Sequence, residues 1–299
     1  LKVKKADKIA TIIFYTIATF VTAFLSFFII YILIKGWEAL NLNFIFGESK
    51  GTKEGGGIGI QLFNSFYMLF ISLLITVPIG IGGGIYLSEY AGNGKIVNFI
   101  RLCLETMASL PSIVVGLFGL LVFVTLVGWK YSILAGALSV SILNLPSMTR
   151  ISENAIKEAS KKVREASLGL GATRWQTIKK VTIPIAIPGV LTGIILSAGR
   201  ILGEAAAFLY TAGMIAPIVK FDRLNLFSMT AQGKLSAYNL FRPAETLAVH
   251  IWKLNSEGIV PDAAKIANGS SAILILIVLI FNFGARIIGN GFYKHYTGK

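Results

Sequence analysis

Apolar residues fall along this chain in long continuous runs, neither alternating as in a half-buried strand nor confined to one helical stripe. The runs cover about residues 9–34, 61–87, 99–127, 131–148, 183–215 and 271–292. Each is near or above the ~20 residues that a bilayer-spanning helix requires. A transmembrane barrel would alternate apolar and polar positions, and these runs do not. The pattern predicts an all-α fold of six transmembrane helices in a single domain over residues 1–299. Between the runs lie a short polar link at 88–98, a long polar stretch at 149–182, and two longer connections at 35–60 and 216–270.

Charge orients the spans. Lys2, Lys4, Lys5 and Lys8 precede the first run, which lacks a small-residue cleavage site, so it reads as a retained anchor with a cytoplasmic N-terminus. With six spans, both tails, the 88–98 link and the 149–182 stretch are then cytoplasmic. That last stretch holds eight basic residues (Arg150, Lys157, Lys161, Lys162, Arg164, Arg174, Lys179 and Lys180) against three glutamates, in agreement with the orientation.

Only 14% of the 299 residues are charged and 55% are hydrophobic, against roughly a quarter charged in soluble domains. The formal charge of +14 is spread among loops and forms no aromatic-studded stripe, which argues against nucleic acid and for membrane topology with lipid as the surrounding partner. Cys103 is the single cysteine, so neither a disulfide nor a thiolate cluster can form within the chain. His250 and His295 stand far apart, and no metal pair or nucleophile and base is evident. The expectation is a protein without a catalytic site or cofactor of its own.

Several local signals concern shape. Pro111 and Ser112 interrupt the third run, where the proline frees a carbonyl that the serine can satisfy, giving a passive kink or a half-helix terminus that gates a pathway. Arg101 and Glu105 have the spacing of an i, i+4 pair. Gly80 and Gly84 mark close helix packing. Gly55, Gly56 and Gly57 suit a flexible connection or an anion-binding nest. Glu245 to Leu254 has helical apolar spacing, consistent with a surface helix or a packed loop helix, and Pro261 with Asp262 can open the helix of the last span.

The polar stretch carries the most specific motif. From Glu165 it reads EASLGLGATRWQTIKKVTIP. Glu165, Ala166 and Ser167 predict a thin helix, Gly171 a left-handed turn, and Val181, Ile183 and Pro184 a second helix that ends at the proline where the next span begins. This resembles the EAA loop of ABC importer permeases: Glu-Ala-Ala, three residues, Gly, nine residues, Ile, one residue, Leu-Pro. Ser167, Val181 and Ile183 replace the second Ala, the Ile and the Leu. The resemblance implies the fold of a type I ABC importer permease, with these residues in a coupling helix seated in an ATPase subunit. The chain has no G-x-x-x-x-G-K-[ST] loop, so ATP and Mg would be bound by that separate partner.

Inside the fifth run, GRILGEAAAFLY places Arg200 and Glu204 four residues apart on one helical face. An ionised side chain at mid-membrane costs at least ~2.5 kcal/mol on insertion scales, so such residues usually serve a pathway. A structural ion pair and an anion path are both compatible with this spacing. TIPIAIPGVLTGIILSAGRILGEAAAFLYTAG resembles PstA-type phosphate permeases, as do VPIGIGGGIYLSEY and ETMASLPSIVVGLFG. That resemblance implies roles for Arg200 and Glu204 in phosphate passage. It also implies a homologous PstC-like permease, two ATP-binding subunits and an external phosphate-binding protein as partners, in a bacterial or archaeal plasma membrane with both termini cytoplasmic. The charged pair alone leaves open another oxyanion (phosphonate, sulfate or molybdate) or a non-transporting structural or regulatory subunit.

Overall fold

A computed structural model describes residues 2–50, 54–92, 94–258 and 261–297. Among these the chain is helical, with one isolated bridge between Lys220 and Ser236. In chain order the helices are α1 (Lys2–Gly36), α2 (Leu42–Phe46), α3 (Gly59–Ile85), α4 (Lys95–Ala108), α5 (Ser112–Gly119), α6 (Ile133–Gly169), α7 (Arg174–Thr177), α8 (Ile183–Gly203), α9 (Ala206–Thr211), α10 (Leu247–Glu257) and α11 (Ala263–Thr297). π-Helical turns at Tyr86–Tyr90 and Leu120–Leu126 extend α3 and α5, and a third at Ile178–Thr182 leads into α8.

The long helices are apolar outside, and their packed faces mix apolar with small polar side chains. Phe70, Leu74 and Ile79 on α3, Leu196 on α8, and Ile280, Phe283 and Ile287 on α11 are exposed. Met68, Val140, Ile201 and Phe208 are buried in one apolar cluster, and Ser72, Thr76, Ser139, Ser141, Asn144, Thr149, Ser152 and Ser197 are buried as well. Exposed apolar faces suit a lipid surround, where association depends on close approach and interhelical hydrogen bonds. α3 and α6 run parallel in one register: Gly80 lies against Met148, and Gly84 against Ser152, so closely that an added Cβ would come within 2.6 Å and 2.5 Å of their side chains. Ser141 Oγ donates to Ser72 O at 3.2 Å in the same register. α8 packs antiparallel on α6, with Gly189 against Ala155 and Gly193 against Ile151. α6 is therefore the central helix.

Among the described residues α1, α3 and α11, and α7–α8 with their π turn, are each long and apolar enough to cross a bilayer, and α4 with α5, bent by 97°, would add a fifth if the pair is one broken span, against the six expected from sequence. Three of the expected runs differ in form from uniform spans. The third breaks at Ser109–Pro111. The fourth does not stop at 148, because α6 continues to Gly169 through half of the polar stretch. The fifth breaks after Gly203, leaving only the short α9 beyond it.

The starts of α3 and α6 share one end of the bundle, the loop end, where residues 204–258 fold over them. Four amides at the start of α6 need partners. Ser132 N donates to Thr211 O, Ile133 N to Arg242 O, Leu134 N to Leu240 O, and Ala135 N to Ser132 Oγ. Arg242 is the largest fully buried side chain. Its guanidinium donates to Ala237 O, Pro243 O and Asn64 Oδ1, and burial lowers its pKa to about 10, so it stays charged at neutral pH. Asn64 Nδ2 donates to Glu245 O, and Leu247 N to Ser65 Oγ. α10 is a packed loop helix, since Leu247, Val249, His250 and Leu254 are buried, and it is capped by Thr246. The glycine run is also occupied: Gly55 N donates to Asp262 Oδ2 and Gly57 N to Glu48 O.

Glu245 closes this network. Gln61 Nε2 donates to its Oε2 at 3.0 Å, while His250 Nδ1 and Lys253 Nζ each lie 3.4 Å from a carboxylate oxygen, as charge contacts. Burial alone would raise the Glu245 carboxyl, but His250, Lys253 and Gln61 outweigh it and hold it below its ordinary value. A depressed carboxyl pKa stabilises the fold above the ordinary value of 4.5, and that stability is lost as pH falls through the folded pKa. Glu245→Gln is expected to destabilise the detergent-solubilised protein by about 1–3 kcal/mol at pH 7, and to flatten its melting temperature below pH 4.5 relative to wild type. Thermal unfolding over pH checks both; equal melting temperatures at pH 7 would contradict the assignment.

Candidate functional site

Two regions gather the residues singled out by sequence. The first is the break between α8 and α9. Gly203 ends α8, and Glu204 leaves the helix with ψ 123°. Its Oε1 accepts from Ala207 N at 3.1 Å, so the buried carboxylate caps the start of α9. The expectation that Arg200 and Glu204 share a helical face is therefore corrected. The glycine stops the helix before Glu204, and among the described residues no ion pair joins the two. Arg200, in the last turn of α8, is half-buried and has no hydrogen-bond or ion-pair partner among the described residues. A guanidinium so placed has its planar fork of donors unused by its neighbours.

The bend at Pro111 faces this break. Ser112 opens α5; Met107 O, four residues before the proline, accepts from Leu110 N, and the Ser109 hydroxyl donates to Thr106 O at 2.7 Å at the end of α4. α5 then packs on α9, with Gly116 so near that an added Cβ would lie 3.0 Å from Ala207 Cα. Arg101 and Glu105 do not pair with each other, as their spacing suggested. Arg101 pairs with Glu153 and Glu105 with Arg150, because α6 offers opposite charges closer than one turn of α4 does.

The second region is a hairpin at the far end of α6. Gly171 has φ +84°, and a Schellman pair closes the helix: Ala172 N donates to Ser167 O and Gly171 N to Leu168 O. Thr173 and Gln176 form a capping box that starts α7. The hydroxyls of Ser167 and Thr177 meet at 2.9 Å and tie the two arms together. Glu165 and Ala166 are exposed, as are Leu168, Trp175 and, at 90%, Leu170. Pro184 does not end the second helix. Together with Ile183 it opens α8, and the π turn before it widens the backbone where proline has no N–H to give.

The sequence did not reveal Arg242, Glu89 or Glu153. Glu89 is buried in the first π turn, and its Oε2 lies 3.9 Å from Arg164. No group of three or more His, Cys, Asp or Glu able to hold a metal occurs among the described residues; the side chain of His295 lies outside them.

A helical bundle with an apolar exterior, small polar residues in its helix seams, a span broken beside an arginine without a partner among the described residues, and a capped hairpin with exposed apolar side chains has the form of a transport permease. Residues 77–296 match the family described as binding-protein-dependent transport system inner membrane component, and the chain belongs to that family of ABC importer permease subunits. It is 52% identical over 296 residues to the probable ABC transporter permease protein YqgI of Bacillus subtilis, covering 99% of each chain. To the phosphate transport system permease protein PstA of Pasteurella multocida it is 30% identical over 272 residues, covering 91% of this chain and 90% of the relative. A crystal structure of a bacterial alginate ABC transporter has a chain of the same fold, at TM-score 0.63 and 15% identity, covering 97% of this chain and 96% of the other. An inward-facing MetNI methionine ABC transporter has another, at TM-score 0.58 and 20% identity, covering 77% and 93%. The fold is thus that of a type I ABC importer permease. Such a subunit carries no ATPase site and works with an ATPase and a substrate-binding protein.

If Glu204 acts as a backbone cap, Glu204→Gln, which keeps an acceptor oxygen, should leave thermal stability near wild type, whereas Glu204→Ala should cost about 1 kcal/mol. Equal losses in both variants would point to the charge instead of the cap.

Proposed function

We propose that this chain is the PstA-type half of an ATP-driven phosphate importer. The observation that carries the reading is Arg200: a half-buried guanidinium beside a helix break, with no partner among the described residues. A free planar fork at an interrupted span suits an oxyanion, and the 30% identity to a PstA permease supports phosphate within that class. The other half of the path comes from a PstC-like permease, and an external phosphate-binding protein delivers the ion. Glu204 shapes the path by holding α9, and the bend at Pro111 and Ser112 lets α5 move against it.

The basic hairpin end is cytoplasmic, as its lysines and arginines favour, and both termini lie on that side. Two ATP-binding subunits, which hold ATP and Mg, complete the complex. One of them receives Leu168, Leu170 and Trp175, with Glu165, Ala166, Ser167 and Gly171 shaping the hairpin and Ile183 with Pro184 joining it to α8.

In reconstituted vesicles carrying the whole complex, Arg200→Lys should reduce phosphate uptake and Arg200→Gln should nearly abolish it, with assembly unchanged, because an ammonium keeps the charge but loses the fork. Wild-type uptake by Arg200→Gln would defeat the role. Sulfate, molybdate or phosphonate competing better than phosphate would move the reading to that ion. Gly171→Val places a β-branched residue at φ +84°, costing about 1–2 kcal/mol locally. It should weaken co-purification of the ATPase while the solubilised permease stays folded, and normal co-purification with normal transport would contradict the docking site.

A further inference from the structure

α4 is the first half of the bent span, yet it buries no side chain. Its main neighbour is α6, and two charged pairs link them. Arg101 Nε donates to Glu153 Oε1 at 2.9 Å, a second guanidinium nitrogen lies 2.7 Å from the same oxygen, and Arg101 also donates to Leu87 O at 3.3 Å. Glu105 pairs with Arg150. The two pairs have opposite polarity and run antiparallel. Sliding α4 by one turn would set Glu105 against Glu153, or Arg101 against Arg150. Attraction in one register and repulsion in the next makes a lock, where an apolar seam would tolerate slippage.

α6 carries this lock on an uninterrupted 37-residue helix, about 55 Å long. Its far end is the hairpin at 165–177. On the other side, α4 meets α5 across the 97° bend, and Gly116 of α5 rests against Ala206 and Ala207 of α9, whose first turn is held by Glu204. A continuous mechanical route therefore joins the hairpin to the helix break beside Arg200.

We propose that Arg101–Glu153 and Arg150–Glu105 are positioning contacts through which α6 passes movement of the hairpin to the bent span and so to the substrate path. The proposal rests on the hairpin being the ATPase dock. Cys103 supplies a probe, because it sits on α4 between Arg101 and Glu105 and is half-buried.

The test uses the whole complex in vesicles. Thiol labelling of Cys103, read on its own peptide by mass spectrometry, is compared without nucleotide and with ATP plus vanadate, and uptake per ATP hydrolysed is measured alongside. In wild type the labelling rate should change with nucleotide. Arg150→Glu should remove that change and lower uptake per ATP about tenfold while hydrolysis continues, and Arg150→Glu combined with Glu105→Arg should regain both. This pair is half exposed, at 50% and 48%, so reversal there strands no buried charge. For the more buried pair, Arg101→Lys keeps the charge but loses the second contact and should give an intermediate loss.

Wild-type labelling and uptake ratio in the single variants would overturn the proposal, as would failure of the double reversal to restore them in an assembled complex. A wild-type complex that imports phosphate without any change at Cys103 would overturn it too. A complex that shows the Cys103 change but does not import phosphate would defeat the substrate reading and leave this one standing.

Discussion

A helix that stops inside an apolar bundle leaves amides and carbonyls with no water to meet them, and each unmet group costs several kcal/mol there. Nearly every irregular feature of this structure answers that constraint. The start of α6 takes three loop carbonyls and one serine hydroxyl. The start of α9 takes the Glu204 carboxylate, the end of α4 takes the Ser109 hydroxyl, and Pro184 is approached through a π turn. The loop end is ordered for the same reason. Arg242 braces that loop: its guanidinium donates to Ala237 O, Pro243 O and Asn64 Oδ1 from one side chain, while the backbone carbonyls of Leu240 and Arg242 accept from α6.

With the backbone satisfied, packing can be very close. The glycines of α3 bring it within contact of α6, and those of α8 do the same from a neighbouring side, so that Gly80 and Gly193 both meet Met148. Such a seam resists both sliding and rotation, since a one-residue shift would place a side chain where only hydrogen fits. α3, α6 and α8 thus form a stiff centre. The softer joints lie at the edges, in the 97° bend and the break after Gly203, next to the residues with functional chemistry.

Sequence made the coarse fold legible because apolar run length is a direct demand of the bilayer, needing no knowledge of neighbours. The turn of the hairpin was legible too, since a left-handed glycine closing a helix is local and written in a few residues around Gly171, whereas the capping box at Thr173 and Gln176 went unread. Arg200 and Glu204 were misjudged because their spacing was read as continuous helix; Gly203, an acid, then three alanines is also the grammar of one helix ending and another beginning. Arg101 and Glu105 were read as partners for the same reason. Their true partners repeat that pattern with reversed order at Arg150 and Glu153, but only the fold brings the two segments side by side. Arg242 carried no signal, because its partners are two backbone carbonyls and the amide of Asn64, far away in the chain, and none of them is an opposite charge.

α1 stands apart from this economy. Its most apolar window has no buried residue, and its close approach to the rest is at Gly36, where it meets Asn268 and Ala272 of α11. Its apolar side chains, from Ile9 through Tyr31, are fully compatible with lipid alone, and its backbone bonds are internal. A helix of that kind needs no neighbour to be stable in a bilayer. During synthesis it can be released from the ribosome and settle in the membrane while the remaining spans are still untranslated, so the chain acquires its tether before its tertiary structure.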